Sequence, residues 1–172
     1  ETDAGQPKKY KTYQKLRKLK SAGERFENKI WLIFYKMGFK YFNVNRNLII
    51  SNENNTVRHQ IDVFAATDNT IICVECKGRE DIQKDNVAEY EKPVSYKAAI
   101  DSLNTERQQL TPILTNKFFP ETGNKKVKFV FATEKQITIP NQDALTEYNI
   151  DWWNLDRVSY YEGLSELSLI HI

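Results

Sequence analysis

Cysteine and histidine are scarce in this chain of 172 residues, with two of each, and neither is placed for metal or redox chemistry. Cys73 and Cys76 fall three apart in a run that reads as a strand. That spacing sends the thiols to opposite faces, which excludes a shared zinc ion or a disulfide and leaves two small buried hydrophobes. His59 has the opposite parity to Asp62, so it reads as a structural or substrate-contacting residue and not as a base, and His171 near the end carries no signal. No apolar stretch approaches the roughly 20 residues of a membrane span, and no charged-then-apolar leader suggests secretion. The expectation is a cytoplasmic protein with no membrane partner. With 40% hydrophobic and 12% aromatic residues, the chain is long enough to bury the core of one compact domain.

The informative pattern is an acidic residue on one apolar run and a Glu-x-Lys at the end of the next. Gln60 to Ala66 and Thr70 to Cys76 both read as strands, with Asp68-Asn69 as a tight turn between them. If Thr67 and Thr70 close the turn, Asp62 lies opposite Glu75 and Gln60 opposite Lys77. A three-residue loop would shift the register and turn Asp62 away. Glu75 and Lys77 share a face, while Val74 and Cys76 share the other.

Opposed carboxylates repel. A hard divalent cation such as Mg²⁺, which takes one or two carboxylates plus waters and phosphate oxygens, suits Asp62 and Glu75. Lys77 then stands beside it, able to orient or deprotonate a water or to stabilise charge on a phosphorane. The plainer reading is a surface hairpin that happens to carry Asp, Glu and Lys. Ile71 to Val74 argue for the site, because that continuous apolar run suggests a strand buried on both faces, and charges at the end of such a strand need a reason.

Upstream, Ser21-Ala22-Gly23-Glu24 fits a capping box, and Gly38 supplies a stop. Between them Phe26, Ile30, Ile33, Phe34 and Met37 recur at helical spacing as a buried stripe. Glu27 flanks that stripe. Periodicity alone leaves it either a salt-bridged flank residue or a site carboxylate, with Glu24 the capping residue.

Asp62 followed by Glu75-Cys76-Lys77 resembles the signature of the PD-(D/E)XK phosphodiesterase superfamily, with Ile61 standing where that name has proline. Gly23-Glu24-Arg25-Phe26-Glu27 with Met37-Gly38-Phe39 resembles the first helix of Mrr-like and resolvase-like members. From residue 23 to 167 the chain is similar, loosely outside the hairpin, to the nuclease-like segment that precedes DGQHR-type domains, although no DGQHR motif occurs. The resemblance implies a restriction-endonuclease-like layered α/β fold with a central mixed β-sheet flanked by helices. It implies an Mg²⁺-dependent endonuclease, with Mn²⁺ able to substitute, acting on DNA in restriction, phage defence or DNA modification. Asp62, Glu75 and Lys77 would be catalytic; the metal would lie on Asp62, Glu75, the Cys76 backbone carbonyl and Glu27. The alternative is a catalytically silent module that recognises DNA for a partner domain. A homodimer and a missing C-terminal partner domain are both compatible with the pattern, the latter with the abrupt apolar end at Leu167 to Ile172.

Charge is uneven along the chain. Lys8, Lys9, Lys11, Lys15, Arg17, Lys18 and Lys20 occur between Ala4 and Gly23 with no acidic residue among them. Setting those seven aside, with Glu1 and Asp3, leaves 18 basic and 21 acidic residues from 23 onward. Residues 1–22 therefore read as a basic arm ahead of a nuclease-like domain at 23–172. With Tyr10 and Tyr13 interleaved, the arm suits phosphate contacts and stacking on unpaired bases, or else a solvated helix docked by Tyr13, Leu16 and Leu19. Gly78 to Lys92 reads as an exposed loop. A helix is expected over Val94 to Leu110, with Ala98, Leu103, Arg107 and Leu110 along one side, Lys97 and Arg107 as substrate-facing candidates, and a stop at Pro112. Beyond it come a strand at Val127 to Ala132, a short helix from Asn141, a strand at Ile150 to Trp153 and a helix capped by Asp156. One of Trp152 and Trp153 should enter the core. Lys125, Lys126 and Lys128 read as a solvated turn more readily than as a second phosphate patch.

Overall fold

The computed structural model describes residues 20–44, 48–78, 93–118 and 126–168. A five-stranded mixed sheet is built from β1 (Tyr41–Phe42), β4 (Val63–Ala66), β5 (Thr70–Lys77), β6 (Lys126–Thr133) and β7 (Asp151–Trp153), in the spatial order β1-β4-β5-β6-β7. β1, β4 and β5 run antiparallel, while β5, β6 and β7 are parallel. Helices α1 (Ala22–Lys36) and α4 (Leu155–Ser168) pack on one face, and α2 (Lys97–Phe118) and α3 (Ile139–Glu147) on the other. Two short strands, β2 (Leu48–Ser51) and β3 (Arg58–Ile61), form a separate antiparallel ribbon beside α2. This is the layered α/β arrangement, a mixed sheet between helices, that the order of elements implies.

The alternation of β5 sorts its side chains between two cores. Ile71 and Cys73 join Ile100, Leu103, Leu110 and Leu114 of α2, while Ile72, Val74 and Cys76 join Phe26, Ile30, Ile33 and Phe34 of α1. Glu75 and Lys77 continue the first series, so they leave the sheet on the α2 side. Trp153 packs on Phe34 in the α1 core, while Trp152 lies partly buried against the α2 core, so both rings contribute.

The α1 cap is as expected, with Ser21 Oγ accepting from the Glu24 amide and Glu24 accepting from the Ser21 amide. Gly38 follows at φ +86°, which glycine adopts without strain. The hairpin turn also matches: the Thr67 amide donates to the Thr70 carbonyl at 2.8 Å, and Thr67 Oγ1 accepts from the Asn69 and Thr70 amides.

Four expectations fail for identifiable reasons. α2 starts at Lys97 and runs through Pro112 to Phe118, because the exposed proline is flanked by the buried anchors Leu110 and Leu114, and the Thr111 hydroxyl donates to the Arg107 carbonyl. Ala98 is exposed, and Ile100 takes its expected place on the buried stripe. α4 is opened by Asn154, whose Oδ1 accepts from the Arg157 amide, while Asp156 accepts from Gln136 instead of capping. The expected strand from Gln60 to Ala66 is two strands in two sheets, divided by a bend at Asp62.

Candidate active site

The bend at Asp62 positions the acidic residue. β4 and β5 pair from Val63↔Val74 to Ala66↔Ile71, the register that the two-residue turn requires; the ladder ends one step short of Asp62 and Glu75, whose charges act on each other there. There β3 leaves the sheet: Gln60 pairs with Ile49 of β2 and not with Lys77. The Cys76 amide finds its acceptor in Asp62 Oδ2 at 2.9 Å. A carboxylate thus closes the ladder where the backbone diverges, and the charge-assisted bond fixes one of its two oxygens.

Asn43 holds the bend from the far side. Its side-chain amide donates to the Asp62 carbonyl at 3.0 Å, and its Oδ1 accepts from the Phe64 amide at 3.0 Å, bracketing residue 63. Trp31 Nε1 in turn donates to the Asn43 carbonyl. Asn43 is buried, and sequence reasoning missed it; its one signal is a polar residue immediately after the Tyr41-Phe42 strand.

At the end of β5, Lys77 Nζ lies 2.6 Å from Glu75 Oε1. Burial raises the Glu75 carboxyl above its ordinary range, and the neighbouring Asp62 charge adds to this against the opposing pull of Lys77. For Lys77, burial pulls the ammonium down, but Glu75, Asp62 and Glu106 together outweigh it and hold it protonated beyond its ordinary 10.5. Glu106, the second residue missed, lies on α2 between the buried Leu103 and Leu110. A carboxylate on an apolar stripe was its signal. His59 approaches it at 3.8 Å and meets Gln109 Oε1 at 2.7 Å, which ties the ribbon to α2; the parity that set His59 on the face away from Asp62 assumed one continuous strand, and the break at Asp62 removes that basis. Lys97 and Arg107 engage their own helix through Asp101 and Asn104.

Glu27 arrives from the opposite layer, 7% exposed on α1. It lines a cleft of about 250 Å³ with Trp31, Asn43, Asp62 and Val63. The Cys76 thiol is pushed well up by burial, then by the charges of Asp62, Glu27 and Glu75. The charges of all three carboxylates thus reach one residue of β5, and Asp62 shares the cleft with Glu27. Among the described residues no three His, Cys, Asp or Glu side chains converge as a ready metal cage. The thiols of Cys73 and Cys76 are buried and free. After Lys77 the chain passes close to α1: a Cβ on Gly78 would stand 2.8 Å from the Gly23 Cα, so glycine lets the end of β5 seat against that helix's first turn.

Of the basic arm, Lys8, Lys9, Lys11, Lys15, Arg17 and Lys18 lie outside the described residues, and Lys20 is exposed. The segment from Arg79 to Lys92 and Lys125 also lie outside them; Lys126 is exposed, and Lys128 lies 3.7 Å from Asp151. No helix among the described residues is long and apolar enough to cross a membrane.

No family model matches the chain, and no curated protein matches it by sequence. Solved structures share its fold. Can2 from Sulfobacillus thermosulfidooxidans, determined in complex with cyclic tetra-adenylate, superposes with a TM-score of 0.52 at 18% identity over 87% of this chain and 35% of its own. Protein VC1899 from Vibrio cholerae gives 0.50 at 12% identity, over 86% of this chain and 34% of its own. AF1548, a protein of unknown function, gives 0.51 at 14% identity, over 83% and 67%. The chain thus spans about a third of the length of the first two. These neighbours are compatible with a restriction-endonuclease-like fold: the chain is a layered α/β protein with a central mixed sheet.

Proposed function

We propose that this chain is a divalent-metal-dependent nuclease that hydrolyses phosphodiester bonds in DNA, with Asp62, Glu75 and Lys77 as its catalytic residues. The carrying observation is the junction at the end of β5, where Asp62 is locked onto the Cys76 amide and Glu75 is paired with Lys77 one step away. The charges of Asp62, Glu75 and Glu106 all act on that one lysine, and the charge of Glu27 reaches the neighbouring Cys76. Such an excess of carboxylate repels a phosphodiester unless a cation intervenes.

The donor set fits Mg²⁺. Its ligands would be the carboxylates of Asp62 and Glu75, with Glu27 and the Cys76 carbonyl as further oxygens, and Mn²⁺ would substitute. An ion that keeps several waters and takes one or two carboxylates plus phosphate oxygens needs no complete protein cage. When bound, it supplies Lewis acidity and a water acidified for attack.

The chain's own residues do the rest. Asp62 holds its place through the Cys76 amide and the Asn43 clamp. Lys77, kept as an ammonium by its acidic neighbours, orients the attacking water and donates to the phosphoryl oxygen on which charge builds. Its raised proton affinity argues against Lys77 as a resting base. Glu75 holds that ammonium in place by the ion pair.

Support for a nucleic-acid role also comes from the fold shared with Can2, which was solved with a cyclic oligonucleotide. The test is cleavage of plasmid, linear duplex, single-stranded DNA and RNA with Mg²⁺ or Mn²⁺ against a chelator. Metal-dependent cutting of DNA is expected. Metal-independent binding without cutting would replace this reading with that of a silent recognition module.

A further inference from the structure

The cleft of about 250 Å³ that holds Glu27 and Asp62 has an aromatic wall. Trp31 stands one turn beyond Glu27 on α1, a spacing that sets Cβ atoms about 5–6 Å apart. Tyr35 stacks on the indole at 5.5 Å and Phe42 meets it at 4.6 Å, and those two rings lie 6.2 Å from each other. Rings on opposite faces of an indole would stand at least two contact distances apart, about 7 Å. Tyr35 and Phe42 therefore cover the same face, and neither lines the cleft. The bond from Trp31 Nε1 to the Asn43 carbonyl at 3.3 Å fixes the ring plane. The other face of a braced, half-buried indole thus borders the cleft beside Asp62. Val44, fully exposed, adds an apolar rim.

Packing does not account for that face. α1 buries Phe26, Ile30, Ile33 and Phe34 against the sheet, and Trp31 lies off that stripe. A flat apolar surface next to carboxylates suits a ligand with a π face of its own and a phosphate that a cation can bring to the acidic groups. A nucleotide has both, with its base one sugar away from its phosphate. The cleft is smaller than the roughly 300–1,000 Å³ of a site for a drug-sized molecule, so it takes one base and not a whole nucleotide. A base in a duplex is paired and stacked on both sides, and extruding it opposes binding.

We infer that the open face of Trp31 stacks on the unpaired base next to the phosphate cut at Asp62, Glu75 and Lys77, so that the substrate is single-stranded or locally unpaired DNA. The inference rests on the nuclease reading and names its substrate class. Stacking tolerates every base, so this contact confers no sequence preference.

The experiment is a cycle between protein and strand. Trp31→Leu keeps apolar volume without a π face, whereas Trp31→Phe keeps a π face. Both lose the indole N–H, so a merely structural role would cost them alike. Each is compared with the parent on a fifteen-nucleotide single strand, on the same strand annealed as a duplex, and on single strands with one abasic position moved along the series. The parent should cut the single strand in preference to the duplex. Trp31→Leu should raise KM on the single strand about tenfold and Trp31→Phe much less. One abasic position should cost the parent the same factor and cost Trp31→Leu nothing further. Trp31→Met serves the same comparison if the leucine variant does not fold. Equal losses for leucine and phenylalanine, an abasic series that costs parent and Trp31→Leu alike, or a parent that prefers the duplex would overturn the inference. If the parent hydrolyses nothing, the nuclease reading fails by itself, and fluorescence anisotropy of the uncut strands in Mg²⁺ decides the cleft by the same cycle: an abasic loss present in the parent and absent in Trp31→Leu supports it, and equal binding refutes it. Tighter binding of free adenosine monophosphate than of the strand would reassign the cleft to a free nucleotide.

Discussion

Replacing Asp62 by alanine and by asparagine should separate its two roles. The carboxylate closes the β4-β5 ladder by accepting the Cys76 amide at 2.9 Å, and it opposes Glu75 as a like charge. Alanine removes the acceptor and strands a partly buried N–H, a loss of about 1–3 kcal/mol. Relief of the repulsion with Glu75 offsets part of this, so a net destabilisation of about 1–2 kcal/mol follows. At about 2–4 °C per kcal/mol for a chain of this size, the melting temperature should fall by about 2–8 °C. Asparagine keeps an oxygen for the Cys76 amide and sheds the charge, so its melting temperature should equal or exceed the parent's. Both variants should lose metal-dependent cleavage. Differential scanning calorimetry in chelator, run beside a cleavage assay, reads both effects. Equal melting temperatures for the alanine and asparagine proteins would refute the structural role, and cleavage by the asparagine protein at the parental rate would refute the chemical one.

Glu75→Gln should stabilise the metal-free protein at neutral pH, because the raised carboxyl makes its ionised form costly in the fold. Its contribution is present below the ordinary 4.5 and lost as pH rises through the raised value, so the stability gap between variant and parent should open over that interval; urea titrations between pH 4 and 8 check the sign. Mg²⁺ at a hundredfold its Kd should stabilise the parent by about 2.7 kcal/mol and the Asp62 variants far less, as thermal shift would show. Asn43→Ala strands the Asp62 carbonyl and the Phe64 amide, so it should cost about 1–3 kcal/mol and reduce cleavage together with metal affinity. Gly78→Ala drives a Cβ against the Gly23 backbone, so it should lower the melting temperature although the position lies at a strand end.

The hairpin was legible in the sequence because its determinants are local. Two turn residues set the register, the period of two set the faces, and the Ile71 to Val74 run marked a strand covered on both sides. The first helix was legible for the same reason, through its cap and stripe. What escaped depends on distant partners. Nothing near Asp62 announces that β3 will leave for β2, since Gln60, Ile61 and Val63 suit one long strand equally well. Pro112 was read as a stop because the anchoring of Leu110 and Leu114 in the core is invisible locally. Asn43 acts through Asp62 and Phe64, some twenty residues away, and Glu106 faces strand residues from a helix whose register was drawn from Ala98 and not Ile100.

The most direct measurement is Mg²⁺-dependent cleavage by Lys77→Ala beside its Mn²⁺ affinity, read by electron paramagnetic resonance. Lys77 is assigned to the water and the transition state and not to the metal, so the variant should bind Mn²⁺ at least as tightly as the parent while cleaving about 10²–10³-fold more slowly. Cleavage at the parental rate with the ammonium gone, or a parent that binds the metal yet cuts no nucleic acid, would contradict the assignment.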